Sequence, residues 1–152
     1  MTRINLIPVE ELKVQHLVAE YRELPQIYGK TLRAQERGET RASILARAPK
    51  EFMFGPGSIV FFYDKIIWLN CRYNELVVEM YARNYKVSFP TVPWHIIDQL
   101  RDEWKNDWVP SEAEIARSRE RIDDRLANPV AYKHNQGRKA ASDVPLKQEW
   151  DF

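Results

Sequence analysis

Residues 58–84 read SIVFFYDKIIWLNCRYNELVVEMYARN, and this stretch decides the fold. Its apolar side chains recur in alternating steps of four and three, which is the spacing of one face of an α-helix. The residues on this face are Phe62, Ile66, Leu69, Tyr73, Leu76 and Met80. The pattern predicts one helix from Ser58 to about Asn84 at the centre of the core, with Trp68 packed inside it and Cys71 buried as an inert thiol.

Upstream of this helix, the chain predicts a second helical region that is interrupted once. Residues 9–37 carry apolar side chains at helical spacing, but Pro25 lacks a backbone donor and clashes with the preceding turn. We therefore expect two helical segments at an angle. Residues 38–57 are punctuated by glycine and proline, which is typical of a long ordered connection.

The last part of the chain predicts a cap over the core and one further helix. Residues 85–110 are rich in proline and tryptophan and indicate a loop-rich cap, in which residues 96–104 could form one short helix. Ser111 and Glu114 have the spacing of a capping box, so a helix begins there and ends at Asn128-Pro129. Its inner face is predicted to carry Ile115, Ser118, Ile122 and Leu126. Together these patterns indicate an all-α fold.

Composition and charge are those of a single globular domain. The chain has 152 residues, 44% hydrophobic and 30% charged, and this balance argues against disordered, collagen-like and coiled-coil chains. No apolar run reaches the ~20 residues that span a bilayer, and no signal-peptide pattern opens the chain, so we expect an intracellular protein. Three dispersed histidines and one cysteine show no metal-ligand spacing, so we expect neither metal nor cofactor. The net charge of +1 does not by itself indicate a nucleic-acid-binding protein.

The first residues are predicted to form an extended arm that carries a candidate nucleophile. Pro8 leaves no room for a helix, and Ile4 and Leu6 point the same way, so their burial would tie the terminus down. The small side chain of Thr2 favours removal of Met1, which would leave the α-amine on Thr2. An α-amine has a pKa of about 7.7–8.0, so an appreciable fraction of it is neutral and nucleophilic near pH 7.

Between the arm and Pro25, one face of the predicted helix is charged. Its side chains are Gln15, His16, Glu20, Arg22 and Glu23. Among them, His16, Glu20 and Glu23 follow an i, i+4, i+7 spacing that predicts a common solvent-facing side. On this pattern alone, the face is either a solvated amphipathic surface or a site, and both interpretations stay open.

Two basic features near the C-terminus could bind a polyanion. Arg117, Arg121 and Arg125 recur every four residues on the outer face of the last helix, where they could follow a phosphate backbone. Interleaved acidic residues favour a salt-bridged surface equally well. Residues 131–139 are basic, and we expect a partly ordered tail from about residue 136.

Several of these residues also form the motifs of a known family. The motifs are Met1–Leu6 (MTRINL), Gln15–Leu17 (QHL), Ala19–Pro25 (AEYRELP), Gly55–Lys65 with FFYDK at its end, and Arg121–Arg125 (RIDDR). With them the chain closely resembles the pyrimidine-dimer DNA glycosylases, also called endonuclease V of the ultraviolet-repair type. The resemblance covers roughly residues 1–135 and is specific in the first 25.

The resemblance implies a fold and an activity. It implies a single all-α domain over residues 1–152, with three main helices, an extended N-terminal arm packed between them and long loops. It also implies an enzyme that excises cyclobutane pyrimidine dimers from double-stranded DNA and then nicks the abasic site by β-elimination. We expect this enzyme to act as a monomer and to bind no membrane.

The roles known in the family carry over to residues of this chain one by one. By resemblance, the α-amine of Thr2 forms an imine with the sugar, and Glu23 stabilises the cationic centre and assists the proton transfers. The implied DNA-binding residues are Arg3, Gln15, His16, Tyr21, Arg22, Arg121 and Arg125. Gln26 departs from the family pattern, which usually has arginine there, so a shifted lesion preference is one alternative. The other is a non-catalytic helical DNA-binding module on the same scaffold.

Overall fold

A computed structural model describes residues 4–55 and 57–127. Within these residues the regular structure is helical and includes no strand, so the all-α fold class is confirmed. The α-helices of this part are α1 (Val14–Glu23), α2 (Gln26–Glu36), α3 (Arg41–Arg47), α4 (Ile66–Ala82), α5 (Trp94–Ile97) and α6 (Glu112–Ala127). Short 3-10 turns lie at Val9–Glu11, Val60–Phe62 and Asp102–Trp104.

The central helix α4 is shorter than its apolar pattern predicted, because the chain turns before Ile66. Val60–Phe62 form a 3-10 turn, and Lys65 has the non-helical angles φ −124° and ψ 40°. The buried carboxylate of Asp64 holds this turn by accepting hydrogen bonds from Arg41 Nε at 3.1 Å and from Lys65 Nζ at 3.0 Å. The helical spacing of apolar residues therefore continues across a point where the backbone itself is not helical.

The core is built around α4, as the apolar pattern predicted. Leu69 and Tyr73 are fully buried, and Trp68 stacks on Phe62 with ring centroids 5.5 Å apart, which confirms that Trp68 is a packing residue. The predicted burial of Cys71 is wrong, since its side chain is exposed. Cys71 is two residues from both Leu69 and Tyr73, and a step of two residues leads to the opposite side of a helix.

Pro25 separates α1 from α2, as predicted. Leu24 and Pro25 keep right-handed helical angles, but Pro25 has no N–H to donate, so the hydrogen-bond ladder is interrupted there. The first helix begins at Val14 and not at Val9, because Val9–Glu11 form a 3-10 turn directly after Pro8.

Two connections differ from the pattern-based prediction. A short helix, α3, lies inside the predicted connection 38–57, and Thr40 caps it by accepting a hydrogen bond from Ser43 N at 3.2 Å. A capping box usually has Glu or Gln at the position of Ser43, so the residue pattern did not predict the start of this helix. Residues 96–104 do not form the single short helix that their pattern allowed, because α5 ends at Ile97 and a 3-10 turn follows at Asp102–Trp104.

The last helix, α6, begins with the predicted capping box. Ser111 N donates to Glu114 Oε1 at 2.9 Å, and Glu114 N donates to Ser111 Oγ at 3.1 Å. Ser118 and Ile122 are buried, in agreement with the predicted inner face. The basic segment and the tail, which were predicted at 131–139 and from 136, lie outside the described residues.

Candidate functional site

The N-terminal arm belongs to the core from its first described residue. Ile4 and Leu6 are buried, as predicted, and so is Ile7. The backbone N–H of Leu6 donates to Ser118 Oγ on α6 at 2.9 Å. The arm is therefore tied down from Ile4 onward. Thr2 and Arg3 lie outside the described residues.

A buried ion pair joins the arm to α1 and α4. Glu20 of α1 accepts two hydrogen bonds from Arg72 of α4, one from Nε to Oε2 at 2.6 Å and one from Nη2 to Oε1 at 3.1 Å. The remaining terminal nitrogen of Arg72, Nη1, donates to the carbonyl oxygen of Ile7 at 2.7 Å. Asn5 donates to Glu20 Oε1 twice, from its backbone N at 3.2 Å and from Nδ2 at 2.9 Å.

The prediction that Glu20 faces solvent is wrong. Glu20 is only 1% exposed, although Glu and Asp are almost never buried unless they are paired. It follows Leu17 by three residues and precedes Leu24 by four, so it lies on the same side of the helix as these two buried leucines. Arg72 compensates its charge, and this pairing makes the buried position tolerable.

The other predicted residues of the charged face stay at the surface. Gln15, His16, Arg22 and Glu23 are all partly exposed on α1. At about 100° per residue, the four side chains fall within about 120° of the helix circumference. The structure therefore brings these four residues together on one side of α1, while Glu20 lies at the edge of that side, against the arm.

Tyr21 lies in the core, unlike the other described residues that were predicted to bind DNA. It is 1% exposed, and its ring stacks on Tyr73 with centroids 5.8 Å apart. The Tyr21 hydroxyl accepts a hydrogen bond from Phe89 N at 3.2 Å, while the Tyr73 hydroxyl donates to Phe89 O at 2.5 Å. Burial raises the pKa of the Tyr73 hydroxyl, which therefore stays protonated as a donor. A direct contact between Tyr21 and DNA remains a prediction.

The arginines on the outer face of α6 hold a neighbouring loop. Arg117 Nη1 donates to the carbonyl oxygen of Phe52 at 2.6 Å. The guanidinium of Arg121 lies over the ring of Phe54, 4.0 Å from its centroid, in a cation–π contact. Arg125 is partly exposed one turn further along the helix. At least two of the three arginines thus have an intramolecular role, and phosphate binding by Arg121 and Arg125 remains a prediction.

The structure reveals two site residues that sequence reasoning missed, Asn5 and Arg72. Arg72 lies within the apolar pattern of α4, immediately before the buried Tyr73, and a charged residue there needs a buried partner. That position was the available signal. Asn5 gave none, because its two hydrogen bonds depend on how the arm is folded against α1.

Among the described residues there is neither a metal-binding group nor a membrane-spanning helix. No three His, Cys, Asp or Glu side chains within 4–55 and 57–127 are grouped so that they could hold a metal ion. The helices in that part of the chain also lack the combination of length and apolar character that crossing a bilayer requires.

Comparison with known families identifies one that the chain matches. A family model described as pyrimidine dimer DNA glycosylase matches residues 1–91, which is more than half of the 152 residues. The matched range includes the arm, the partly exposed face of α1, and Arg72 on α4, whereas α6 lies beyond it. The chain belongs to the pyrimidine dimer DNA glycosylase family.

Proposed function

We propose that this chain excises cyclobutane pyrimidine dimers from double-stranded DNA and nicks the resulting abasic site through a covalent imine. The α-amine of Thr2, exposed by removal of Met1, is the nucleophile, and the carboxylate of Glu23 opposes the positive charge on the sugar. Membership of a DNA glycosylase family supports DNA as the substrate. The anchoring of the arm beside α1 supports the assignment of the amine.

The observation that carries this proposal is the pair of hydrogen bonds from Asn5 to Glu20. Thr2 is three residues before Asn5, a stretch of chain that spans at most about 10–11 Å. Glu23 is three residues after Glu20, and this separation is a rise of about 4.5 Å along the helix. From its anchor the α-amine can therefore reach the exposed side of α1 where Glu23 lies.

The chemistry needs a neutral amine and a nearby carboxylate. The α-nitrogen attacks C1′ of the 5′ nucleotide of the dimer while the glycosidic bond breaks, and the base leaves with the bonding electrons. The nitrogen then loses a proton and the C1′–O4′ bond opens, which gives the imine and a protonated O4′. Loss of a proton from C2′ expels the 3′ phosphate, and water hydrolyses the imine to restore the amine. Glu23 stabilises the cationic centre and relays these protons.

The other exposed side chains of α1 are suited to holding the DNA. Arg22 offers a guanidinium to a phosphate, and Gln15 and His16 offer polar groups on the same side of the helix. In the family that the sequence resembles, the duplex is kinked and a base opposite the lesion is turned out. Recognition of this kind depends on weakened stacking and easy deformation of the DNA. Binding should then depend strongly on salt.

The test compares Glu23→Gln with Glu36→Gln on a duplex that contains one pyrimidine dimer. Glu36 is an exposed glutamate on α2, so its variant controls for the loss of one negative charge. We expect Glu23→Gln to lose glycosylase action while it binds the damaged duplex as the wild type does, and Glu36→Gln to stay active. If Glu23→Gln excises dimers at the wild-type rate, Glu23 has no part in the mechanism. If the wild type binds the duplex without excising the dimer, the chain is a non-catalytic binding module.

A further inference from the structure

We infer that Glu20 and Arg72 are positioning residues for the reaction, because their ion pair fixes residues 5–7 against α1 and thereby holds the Thr2 amine beside Glu23. The inference rests on the proposed function, since it assigns a purpose to the buried network next to the same site. It concerns side chains that do not touch the substrate.

The network has the geometry of a clamp on the arm. The guanidinium of Arg72 uses Nε and Nη2 for the carboxylate of Glu20 and Nη1 for the carbonyl oxygen of Ile7. The carboxylate uses its Oε1 for both the backbone N–H and the side-chain amide of Asn5. One ion pair thus satisfies a backbone donor and a backbone acceptor two residues apart in the arm, and so fixes its direction as well as its place.

The attraction between the two charges does not by itself account for a buried pair at this position. The side chains of Glu20 and Arg72 are 0% and 5% exposed, and desolvating two charges costs several kcal/mol per ion. Apolar residues of similar volume often stabilise a core as well or better. They could not, however, accept the Asn5 N–H or donate to the Ile7 carbonyl, and an unpaired polar group in the core is costly. The pair therefore gives the arm a defined path.

The pair also gives different roles to two neighbouring carboxylates of one helix. Glu20 and Glu23 are three residues apart, so they are neighbours on the surface of α1. An uncompensated Glu20 carboxylate would attract the Thr2 amine in its ammonium form, which has no lone pair for attack on the sugar. Arg72 already compensates the charge of the Glu20 carboxylate. In the proposed mechanism, Glu23 is the carboxylate that faces the reacting sugar.

The first test uses Asn5→Ala, which leaves the ion pair intact and removes only the side-chain bond to Glu20. Its matched control is Asn106→Ala, because Asn106 Nδ2 also donates hydrogen bonds in a partly buried position, to Asp64 O at 3.0 Å and to Glu103 O at 2.8 Å, away from the arm. The readout is the single-turnover rate of borohydride trapping on an abasic duplex, measured at saturating DNA together with the half-saturating DNA concentration.

We expect the saturated trapping rate of Asn5→Ala to fall about 10- to 100-fold, since small misplacements of a reacting group have effects of this size. Its half-saturating DNA concentration should stay within about twofold of the wild type, because DNA contacts are kept. Asn106→Ala should trap at close to the wild-type rate. A wild-type trapping rate for Asn5→Ala at saturation would overturn the positioning role.

The second test addresses the ion pair itself with Glu20→Gln, which keeps the shape of the side chain and removes its charge. A thermal unfolding curve first identifies a temperature at which this variant is fully folded. The trapping rate is then measured at that temperature. We expect a slower saturated rate for folded Glu20→Gln, and a rate equal to the wild type would contradict the inference. The trapping rate of the wild type distinguishes failure of the proposed function from failure of the positioning role. If the wild type traps no DNA, both fail. If the wild type and the variants trap DNA equally well, only the positioning role fails.

Discussion

The backbone N–H of Leu6 donates to the hydroxyl of Ser118 at 2.9 Å, although 112 residues separate the two in the sequence. This bond ties the N-terminal arm to α6, and α6 lies beyond the range that the family model matches. The position of the arm therefore depends on both ends of the described chain. The sequence near the arm is therefore not sufficient to determine the position of the arm.

Ser118→Ala should loosen the arm. The change leaves the buried N–H of Leu6 without its acceptor, which costs about 1–3 kcal/mol of unfolding free energy. Ser111→Ala is the matched control, because it weakens the same helix at its cap by about 0.5–2 kcal/mol without touching the arm. Amide hydrogen exchange distinguishes the two variants. We expect faster exchange at Leu6 in Ser118→Ala alone, and equal exchange in both variants would show that Ser118 does not anchor the arm.

Tyr21→Phe should cost stability, because the Tyr21 hydroxyl accepts a hydrogen bond from Phe89 N inside the protein. The ring and its stacking on Tyr73 are kept, so the expected loss is about 1 kcal/mol of unfolding free energy. Tyr81→Phe, at a tyrosine that is 53% exposed, should change stability by less than about 0.5 kcal/mol. Chemical denaturation measures both variants. Unchanged stability of Tyr21→Phe combined with weaker DNA binding would instead support a direct DNA contact.

Arg121→Gln should reduce the salt dependence of DNA binding if Arg121 contacts a phosphate. Removal of one phosphate contact lowers the slope of log K against log salt by about 0.9. Arg119→Gln is the control on the same helix, since Arg119 forms an ion pair with Glu11 and is not among the predicted DNA-binding residues. Titrations at several salt concentrations give the slopes. If the Arg121→Gln slope equals that of the wild type, Arg121 makes no phosphate contact.

Glu114→Gln should destabilise the loop that packs on α6. Glu114 accepts hydrogen bonds at both carboxylate oxygens, from Ser111 N at 2.9 Å and from Phe52 N at 2.6 Å. A glutamine has one acceptor oxygen, so one of the two N–H groups loses its partner, at a cost of about 1–3 kcal/mol. Glu112→Gln, an exposed change two residues earlier, should alter stability by less than about 0.5 kcal/mol. Equal midpoints of thermal unfolding for the two variants would contradict this role of Glu114.

The features that could be predicted from the sequence depend on residues close together in the chain. The break at Pro25 follows from the missing donor of one residue. The capping box of Ser111 and Glu114 follows from a spacing of three. The burial of Ile4 and Leu6 follows from their alternation in an arm that cannot be helical. Each of these features is set by local backbone chemistry, so a pattern of neighbouring residues is sufficient to predict it.

The features that could not be predicted join residues far apart in the chain. Glu20 has the spacing of a surface residue with respect to Glu23 and the spacing of a core residue with respect to Leu17. Only its pairing with Arg72, 52 residues away, decides between them. Tyr21 likewise belongs to a motif that suggests DNA contact, but its hydroxyl accepts a hydrogen bond from the backbone N–H of Phe89, 68 residues away. Periodicity shows which face a residue occupies but does not identify its long-range partner.

The proposed mechanism makes the α-amine of Thr2 the group that forms the covalent intermediate. The position of the reduced adduct in the protein tests this assignment without an intermediate step of inference. Full-length mature protein is incubated with an abasic duplex and borohydride, and the protein is then digested and its peptides are analysed by mass spectrometry. We expect the sugar adduct on the α-nitrogen of the N-terminal peptide, which begins at Thr2, as this mechanism requires. An adduct on a lysine side chain, or no adduct in protein that binds the duplex, would contradict it.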